Sequence, residues 1–331
     1  MNNQTSHRHG VPHVHPFRST IGACCAQGPA ATIRRFAAAS LATVACLTGA
    51  TALATDRSSV LEAVQLPAWV ERHGQQRPAQ PGQLLRAGDL AITASGARML
   101  IRMPDRSIIK LGEDTRFEIE RMTVSRRDPA GRSDLNASLN LITGVFRYAT
   151  DYTSKALGHG RQVNLRMATA TVGIRGTDFW SMTDADHDAV CVFDGKVDVL
   201  RDGRDTISLT KPGAFWVVFT GKTESPAGQA TPDQLAKFID QADMQPGRGV
   251  LVAGGRWRVV AGVTASLTEA AALRDRLRSA GYPAEAVTRQ GRHEVRINEL
   301  ATRDDADHVL GRLAAGNQLI LAQPRVALSA E

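Results

Sequence analysis

The sequence predicts a mainly β domain over residues 60–220, followed by a small α+β domain over residues 251–327. In the first region, short apolar stretches with a two-residue period are separated by Gly and Asp-Gly turn signals, a pattern typical of antiparallel strands. In the second region, short strands alternate with stretches of helical period. Residues 221–250 between them have the Pro, Gly and Ser content of a linker. We therefore expect two folding units, the first an antiparallel two-layer sandwich or roll, or a solenoid-like arrangement.

Residues 1–54 have the features of a cleaved secretory leader. Arg34 and Arg35 precede an uncharged stretch of small apolar residues, which ends in an Ala-Leu-Ala cleavage site at residues 52–54. We expect the mature chain to begin near Thr55 and to be periplasmic. The alternative is a retained leader that anchors the chain in the membrane, although Ser, Thr and Gly dilute its hydrophobicity. After cleavage we expect no stable membrane span.

The strands of the β domain are predicted from alternation and turn residues. Residues 104–107, 194–195 and 202–203 carry turn signals between apolar stretches. Strands are expected at residues 99–103, 108–111, 117–120, 139–146, 163–167, 179–182, 190–193, 196–200, 206–209 and 215–219.

One short helix is predicted inside the linker. Thr231 can cap the first turn through its hydroxyl, and Pro232 suits the first helical position. The helix is expected over residues 233–242, with Leu235 and Phe238 on an apolar face.

The C-terminal domain is expected to have the βαββαβ order of ferredoxin-like folds. Strands are predicted at residues 257–263, 284–289, 293–297 and 319–322, and helices at residues 267–280 and 303–315. Gly281 and Gly316 are expected to end the helices. By alternation along each strand, one set of side chains faces the helices and another lines the open face of the sheet. The open-face set is Arg258, Val260, Gly262, Glu294, Arg296 and Asn298.

Charge and composition exclude several function classes. The leader contributes four arginines and no acid to a net charge of +7, so the body has little excess charge for binding nucleic acid. Cys191 is the one cysteine after the leader, and mid-strand it is expected to be a buried thiol. No phosphate-binding loop or nucleophile elbow occurs, so we expect neither a cofactor nor enzyme activity. Asp184, Asp186 and Asp188 lack the Gly and distal Glu of a calcium loop, so no metal is expected.

Three stretches of the β domain resemble the FecR domain. They are LLRAGDLAITASGARMLIRMPDRSIIKLGEDTRFEI (84–119), LNLITGVFRY (139–148) and the region 168–200, which contains VGIRGTDF and ends in DGKVDVL. The resemblance extends over about residues 64–219 and implies an extracytoplasmic domain. In iron-transport regulators this domain follows a transmembrane helix and a cytoplasmic segment that governs a sigma factor. Residues 1–33 do not match such a segment, so that regulatory role is not carried over.

The VGIRGTDF motif is expected to be mostly structural. Gly173 and Gly176 would allow backbone shapes that other residues avoid. Thr177 would lie on a strand, and Arg175 would pair with Asp178. The alternative is that Arg175 contacts a protein partner.

The C-terminal region, about residues 252–325, resembles a SPOR domain. RWRVVAGVTASLTEAAALRDRLRSAGYPAEAV and HEVRINELATRDDADHVLGRLAAG follow the two half-repeats of that family. The resemblance implies binding to septal peptidoglycan, with a preference for glycan strands without stem peptides, and hence a link to cell division. The family usually has Gln at the position of Val260, so glycan binding is expected to be weaker or altered.

Four residues are candidates for glycan contact: Trp257, Arg258, Arg296 and Asn298. Guanidinium and amide groups can donate to sugar hydroxyls, acetamido carbonyls and the lactyl carboxylate of muramic acid. Two functions follow. The first is an exported, non-catalytic envelope protein that binds peptidoglycan and presents its FecR-like domain as an interaction module. The alternative is a periplasmic signalling or assembly component, in which the FecR-like domain binds an envelope protein and the SPOR fold is only structural.

Overall fold

The structure, a computed structural model, describes residues 58–125, 134–151, 160–174, 176–222, 226–316 and 318–329. The predicted leader and Arg175 therefore lie outside the described residues. No helix in the described part of the chain is long and apolar enough to cross a membrane.

The described residues form three helices and twenty-two strands. The helices are α1 (Pro232–Ala242), α2 (Leu267–Ser279) and α3 (Arg303–Ala315). The strands are β1 (Ser59–Gln65), β2 (Ala68–Arg72), β3 (Gln75–Pro78), β4 (Leu84–Leu85), β5 (Leu90–Thr93), β6 (Arg98–Arg102), β7 (Ile108–Leu111), β8 (Arg116–Val124), β9 (Leu135–Ala149), β10 (Arg161–Arg166), β11 (Thr171–Ile174), β12 (Asp178–Thr183), β13 (His187–Asp194), β14 (Val197–Leu200), β15 (Ile207–Leu209), β16 (Ala214–Phe219), β17 (Gly228–Gln229), β18 (Val250–Val252), β19 (Trp257–Thr264), β20 (Ala284–Arg289), β21 (Arg292–Leu300) and β22 (Arg325–Leu328).

The β domain has two layers that share one long strand. One layer has the order β3-β2-β5-β8-β9-β10-β11-β14-β15. The other has the order β4-β1-β6-β7-β9-β12-β13-β16-β17. All of these pairs are antiparallel except β9 with β10. The predicted two-layer, mainly antiparallel fold class is therefore confirmed.

Strand β9 passes from one layer to the other at Gly144. Up to Thr143 it pairs with β8, and from Gly144 onward it pairs with β12. Gly144 has a φ of +97°, and a Cβ there would lie 2.5 Å from the Cα of Thr115. The buried Thr115 hydroxyl accepts a hydrogen bond from the Val145 N–H at 3.0 Å. The crossing therefore requires a glycine, because only glycine fits this conformation and this contact.

Aromatic rings from both layers fill the space around this crossing. Phe117 of the first layer lies 5.5 Å from Phe146 of the second, and Phe146 lies 5.9 Å from Phe179, as measured between ring centroids. All three side chains are fully buried. Because the chain has few aromatic residues, this cluster concentrates much of the chain's aromatic surface at one point of the core.

The linker helix α1 begins as predicted and packs against the β domain. Thr231 and Gln234 form a reciprocal capping box at its start. Phe238 stacks on Trp180 at 4.1 Å and on Phe215 at 5.7 Å, between ring centroids. The same small cluster contains Cys191, which is buried as predicted, and burial raises the pKa of its thiol to about 12.

The C-terminal domain has the predicted βαββαβ order. Its sheet runs β20-β21-β19-β22, with the buried faces of α2 and α3 on one side. The predicted strand at residues 319–322 is wrong, because the last strand is β22. Residues 321 and 322 still make backbone hydrogen bonds with residues 261 and 263, in line with β22. The strand is therefore interrupted, and its regular part lies later than the apolar residues indicate.

A strand pair joins the two domains. Strand β18, at the end of the linker, pairs with β1 of the β domain through Ala63 with Val252, Val64 with Leu251, and Gln65 with Val250. The Ala68 N–H also donates to the Gly281 carbonyl at 3.2 Å. One hydrophobic core includes residues of both domains. The division into two folding units stays a prediction, and the units share this seam.

Asp305 fixes the C-terminal side of the seam. Its fully buried carboxylate caps the first turn of α3, where it accepts hydrogen bonds from the Thr302 hydroxyl at 2.6 Å and the Thr302 N–H at 3.1 Å. It also accepts from the Gly249 N–H at 3.0 Å and the Val250 N–H at 2.9 Å. The start of β18 is therefore held by a helix N-terminus, where a carboxylate is stabilised.

We predict that Gly144→Ala destabilises the fold by about 3 kcal/mol or more, because it combines a strained φ with an overlap against Thr115. Gly203→Ala is the matched control, since Gly203 has a φ of +67° and nothing within 4 Å of an added Cβ. It should cost only about 1 kcal/mol, from backbone strain alone. Urea unfolding measures both values, and equal costs would contradict the steric argument.

We predict that Asp305→Ala lowers the free energy of unfolding by about 3 kcal/mol, because it leaves two backbone N–H groups of the seam buried without an acceptor. Asp307→Ala on the exposed face of the same helix should change it by less than about 0.5 kcal/mol. A cost for Asp305→Ala as small as that of the control would show that the seam is held by other contacts.

Candidate functional site

The strand register defines the open face of the C-terminal sheet, opposite the helices. Glu285, Arg296, Val260 and Arg325 are directly paired neighbours across β20, β21, β19 and β22, so their side chains share one side. Arg258 lies two residues before Val260 on the same strand, and therefore on the same side. The open face thus carries a row of arginines, as the alternation predicts.

A β-bulge in β19 changes one of the predicted positions, that of Gly262. Val260 pairs with Arg296, whereas Gly262 pairs with Val295, so Ala261 is the extra residue. Gly262 is therefore not on the open face, and a Cβ there would lie 2.5 Å from the Cβ of Leu321. Val260 is on the open face by register, but its side chain is fully buried between its paired neighbours Arg296 and Arg325. The position where the family usually has Gln offers no accessible surface here.

Arg296 and Asn298 are held by the same carboxylate. The Arg296 Nε and the Asn298 Nδ2 donate to the Glu285 Oε1 at 2.7 and 2.5 Å. Burial acts to raise the pKa of Glu285, but the hydrogen bonds from Arg296 and Asn298 outweigh it, and the pKa is lowered. Glu285 is therefore a carboxylate that orients two candidate donors.

Arg258 has no such partner. Arg325 donates to Glu294 at 2.5 Å, but Arg258 makes no hydrogen bond or ion pair within the described residues, and its Nε is buried. Burial lowers the pKa of the Arg258 guanidinium, and the like charges of Arg296, Arg289 and Arg325 lower it further, against the opposing effect of Glu294. A cation in this position is an incomplete binding group, because a buried donor is normally hydrogen-bonded.

These residues line a groove of about 950 Å³ between the C-terminal sheet and the loop after β3. Its charged lining residues are five arginines and two glutamates: Arg256, Arg258, Arg278, Arg289, Arg296, Glu285 and Glu299. The groove brings together three of the four glycan-contact candidates, namely Arg258, Arg296 and Asn298. With more cations than anions, the groove suits a ligand that carries carboxylates and many hydrogen-bond acceptors.

Trp257 is not brought into the groove. It pairs with Leu300, which is fully buried, and its half-buried ring packs against the core. Alternation along β19 accounts for this direction, because Trp257 lies two residues before the buried Val259 and therefore on the side opposite Arg258 and Val260.

The VGIRGTDF motif lies where β11 ends and β12 begins. Gly176 has a φ of +70°, and its carbonyl lies 2.8 Å from where a Cβ of Gly195 would be, so two turns meet closely here. Thr177 is buried, and its N–H donates to the Thr150 hydroxyl at 3.1 Å. Gly173 differs from the prediction, since a Cβ there would meet only ordinary contacts at 3.7 Å or more.

Asp178 connects the motif to the linker helix. The Arg147 guanidinium donates to both carboxylate oxygens of Asp178, at 2.9 and 2.8 Å, and to Asp243 at 3.2 Å. Lys110 donates to the same oxygen of Asp243 at 2.5 Å. The hydrogen bond to Asp178 is the main reason why the pKa of Arg147 is raised. The sequence analysis missed Arg147 and Asp243, because their pairing joins residues 96 positions apart and leaves no local pattern.

Comparison with known proteins identifies both domains. The family model described as FecR protein matches residues 89–198, and the model described as SPOR domain matches residues 253–321. Both resemblances found in the sequence are thereby confirmed, over somewhat shorter ranges. We refer to the β domain and the C-terminal domain that contain these matches as the FecR domain and the SPOR domain. Both are envelope-associated, non-catalytic domain families. No curated protein matches the chain.

Three chains of solved structures match as well. Two are crystal structures of a putative anti-sigma factor from Parabacteroides distasonis ATCC 8503. One has 15% sequence identity and a TM-score of 0.34, covering 45% of this chain and 63% of that chain. The other has 13% identity and a TM-score of 0.35, covering 62% of this chain and 97% of that chain. This chain thus spans less than two thirds of the first of them.

We predict that Arg258→Met raises the free energy of unfolding at low ionic strength, by roughly 0.5 kcal/mol, because it removes a cation that faces other arginines. Arg296→Met should have the opposite sign, because it breaks the ion pair with Glu285. Both effects should shrink at high salt. Urea unfolding at two salt concentrations checks the signs, and a loss of stability in Arg258→Met would mean that the guanidinium has a stabilising partner.

Proposed function

We propose that this chain, which carries a FecR domain and a C-terminal SPOR domain, is an exported, non-catalytic protein that binds peptidoglycan glycan strands. The ligand would lie in the groove of the SPOR sheet, and the FecR domain would act as an interaction module. A SPOR domain suggests peptidoglycan binding and a FecR domain a signalling-related role. The residues of this chain bear on the more specific proposal.

The unpartnered Arg258 is the observation that carries the proposal. A half-buried guanidinium among like charges is unfavourable in the free protein, and a ligand carboxylate would relieve that condition. A muramic acid residue without its stem peptide presents a lactyl carboxylate and an acetamido carbonyl close together. Arg258 would bind the first, and Asn298 and Arg296, oriented by Glu285, would donate to the second or to hydroxyls.

Export is part of the same proposal, because peptidoglycan lies outside the cytoplasm. The leader over residues 1–54 would be removed near Thr55, which would leave a periplasmic protein. If the leader is retained, it would anchor the chain in the membrane, with the two domains still on the periplasmic side. Trp257 would contribute to glycan binding only through the position of β19, since its ring packs against the core.

A second candidate function is signalling or assembly, in which the SPOR fold serves as a spacer. The ion pairs of the open face favour it, because Glu285 and Glu294 already neutralise Arg296 and Arg325. In that case the FecR domain would bind an envelope protein.

We predict that the double change Arg258→Ala with Arg296→Ala weakens co-sedimentation with peptide-free sacculi by at least about tenfold, since each lost charged hydrogen bond contributes about 1.5 kcal/mol or more. Binding by the unchanged protein should also weaken as salt increases. The control is Arg274→Ala with Arg303→Ala, which removes the same charge from positions on α2 and α3 outside the groove lining.

The control variant should bind like the unchanged protein, and circular dichroism should show both variants folded. If the unchanged protein does not sediment with sacculi, the spacer function is favoured. Equal binding by the open-face variant and the control would place the glycan outside this groove.

A further inference from the structure

A second groove adjoins the one on the SPOR sheet. It has a volume of about 990 Å³ and lies between the FecR domain and the end of α2. The two grooves share Gln80, Pro81 and Arg278 in their linings. They therefore form one continuous depression, which begins on the SPOR sheet and ends on the FecR domain.

The walls of this second groove are fixed relative to each other. The Trp69 indole N–H of the FecR domain donates to the Ser279 carbonyl at 3.2 Å. Gly281 has a φ of +85°, and a Cβ there would lie 2.7 Å from the Trp69 ring, so the end of α2 lies directly against the indole. With the β1–β18 seam beside it, the depression is preorganised, and a ligand would not need to order it.

The lining of the second groove suits a ligand rich in hydroxyl and acetamido groups. Its FecR-domain wall carries the amide side chains of Gln76, Gln80 and Gln83, with Arg77 as the one charged residue of that wall among the described residues. Each amide offers both donors and an acceptor, as sugar hydroxyls and acetamido groups require. Gln76 and Gln80 are exposed, and their side chains make no hydrogen bond within the described residues.

We propose that the FecR domain continues the glycan-binding site, so that a glycan strand bound at Arg258 extends past Arg278 onto Gln76 and Gln80. This inference rests on the proposed function, and it assigns part of the glycan site to the FecR domain. The buried Val260 gives the SPOR sheet no amide at the position where the family usually has Gln. Gln76 and Gln80 of the FecR domain would offer amide groups to the ligand instead. The affinity then depends on the length of the glycan, because only a long glycan reaches both grooves.

The test uses the full chain and peptide-free oligosaccharides of alternating N-acetylglucosamine and N-acetylmuramic acid. A tetrasaccharide and an octasaccharide are titrated against the unchanged protein and against Gln76→Ala with Gln80→Ala. We expect the unchanged protein to bind the octasaccharide more tightly. The double change should weaken octasaccharide binding about five- to tenfold, as expected for two neutral hydrogen bonds, and leave the tetrasaccharide affinity unchanged.

Gln75→Ala is the matched control, since Gln75 is an exposed glutamine next to Gln76 on β3 but is not in the groove lining. Its amide oxygen accepts a hydrogen bond from Arg77 at 3.3 Å, and Arg77 is not one of the proposed glycan contacts. It should bind both oligosaccharides like the unchanged protein. The inference is overturned if Gln76→Ala with Gln80→Ala binds the octasaccharide as well as the unchanged protein does, or loses affinity equally for both lengths. If the unchanged protein binds neither oligosaccharide, the proposed function itself is overturned. That result comes from the unchanged protein alone and does not depend on the variants.

Discussion

The pairing of β18 with β1 is the interaction on which the candidate site depends. It places the end of the linker in the sheet of the FecR domain, and Asp305 ties the same residues to the first turn of α3. Strand β18 is therefore bound by β1 on the side of the FecR domain and by Asp305 on the side of the SPOR domain. These contacts hold the SPOR sheet against the FecR domain. Without this seam, the two grooves would be separate surfaces on domains joined by a linker, and a ligand that contacts both would have to order them.

The open face of the SPOR sheet shows how binding capacity and stability oppose each other. Arg296 and Arg325 are stabilised by Glu285 and Glu294, which also reduces their availability to a ligand. Arg258 has neither a partner nor full solvation, so the folded chain carries the electrostatic cost. A site that retains an unfavourable cation is typical of positions where function, rather than folding, determines the residue.

The sequence predicted those features that depend on local pattern and not those that depend on distant contacts. Alternation, capping residues and helix-ending glycines are local, so most strands of the FecR domain from β6 onward, the start of α1 and the βαββαβ order followed from them. Strands β1 to β5 and β11 were not among the predicted strands. The bulge at Ala261 is a mismatch between two strands, and no single strand encodes it. Strand β3 is polar throughout, and its pairing with β2 depends on the turn between them rather than on hydrophobicity. Arg258, Arg296 and Asn298 were found by alternation, whereas the seam that completes their groove was not.

The FecR motif constrains how the second domain can take part in function. Asp178 holds Arg147, Arg147 holds Asp243 at the end of α1, and the ring of Phe238 covers Trp180 two residues beyond Asp178. The linker helix thus covers the sheet next to the motif, at Trp180. A protein that binds the FecR domain at this surface meets α1 rather than an exposed sheet. Only six residues separate Asp243 from β18, so a displacement of α1 would pull on the seam itself. Contacts made by the FecR domain and the geometry of the groove on the SPOR sheet are therefore linked through one short stretch of chain.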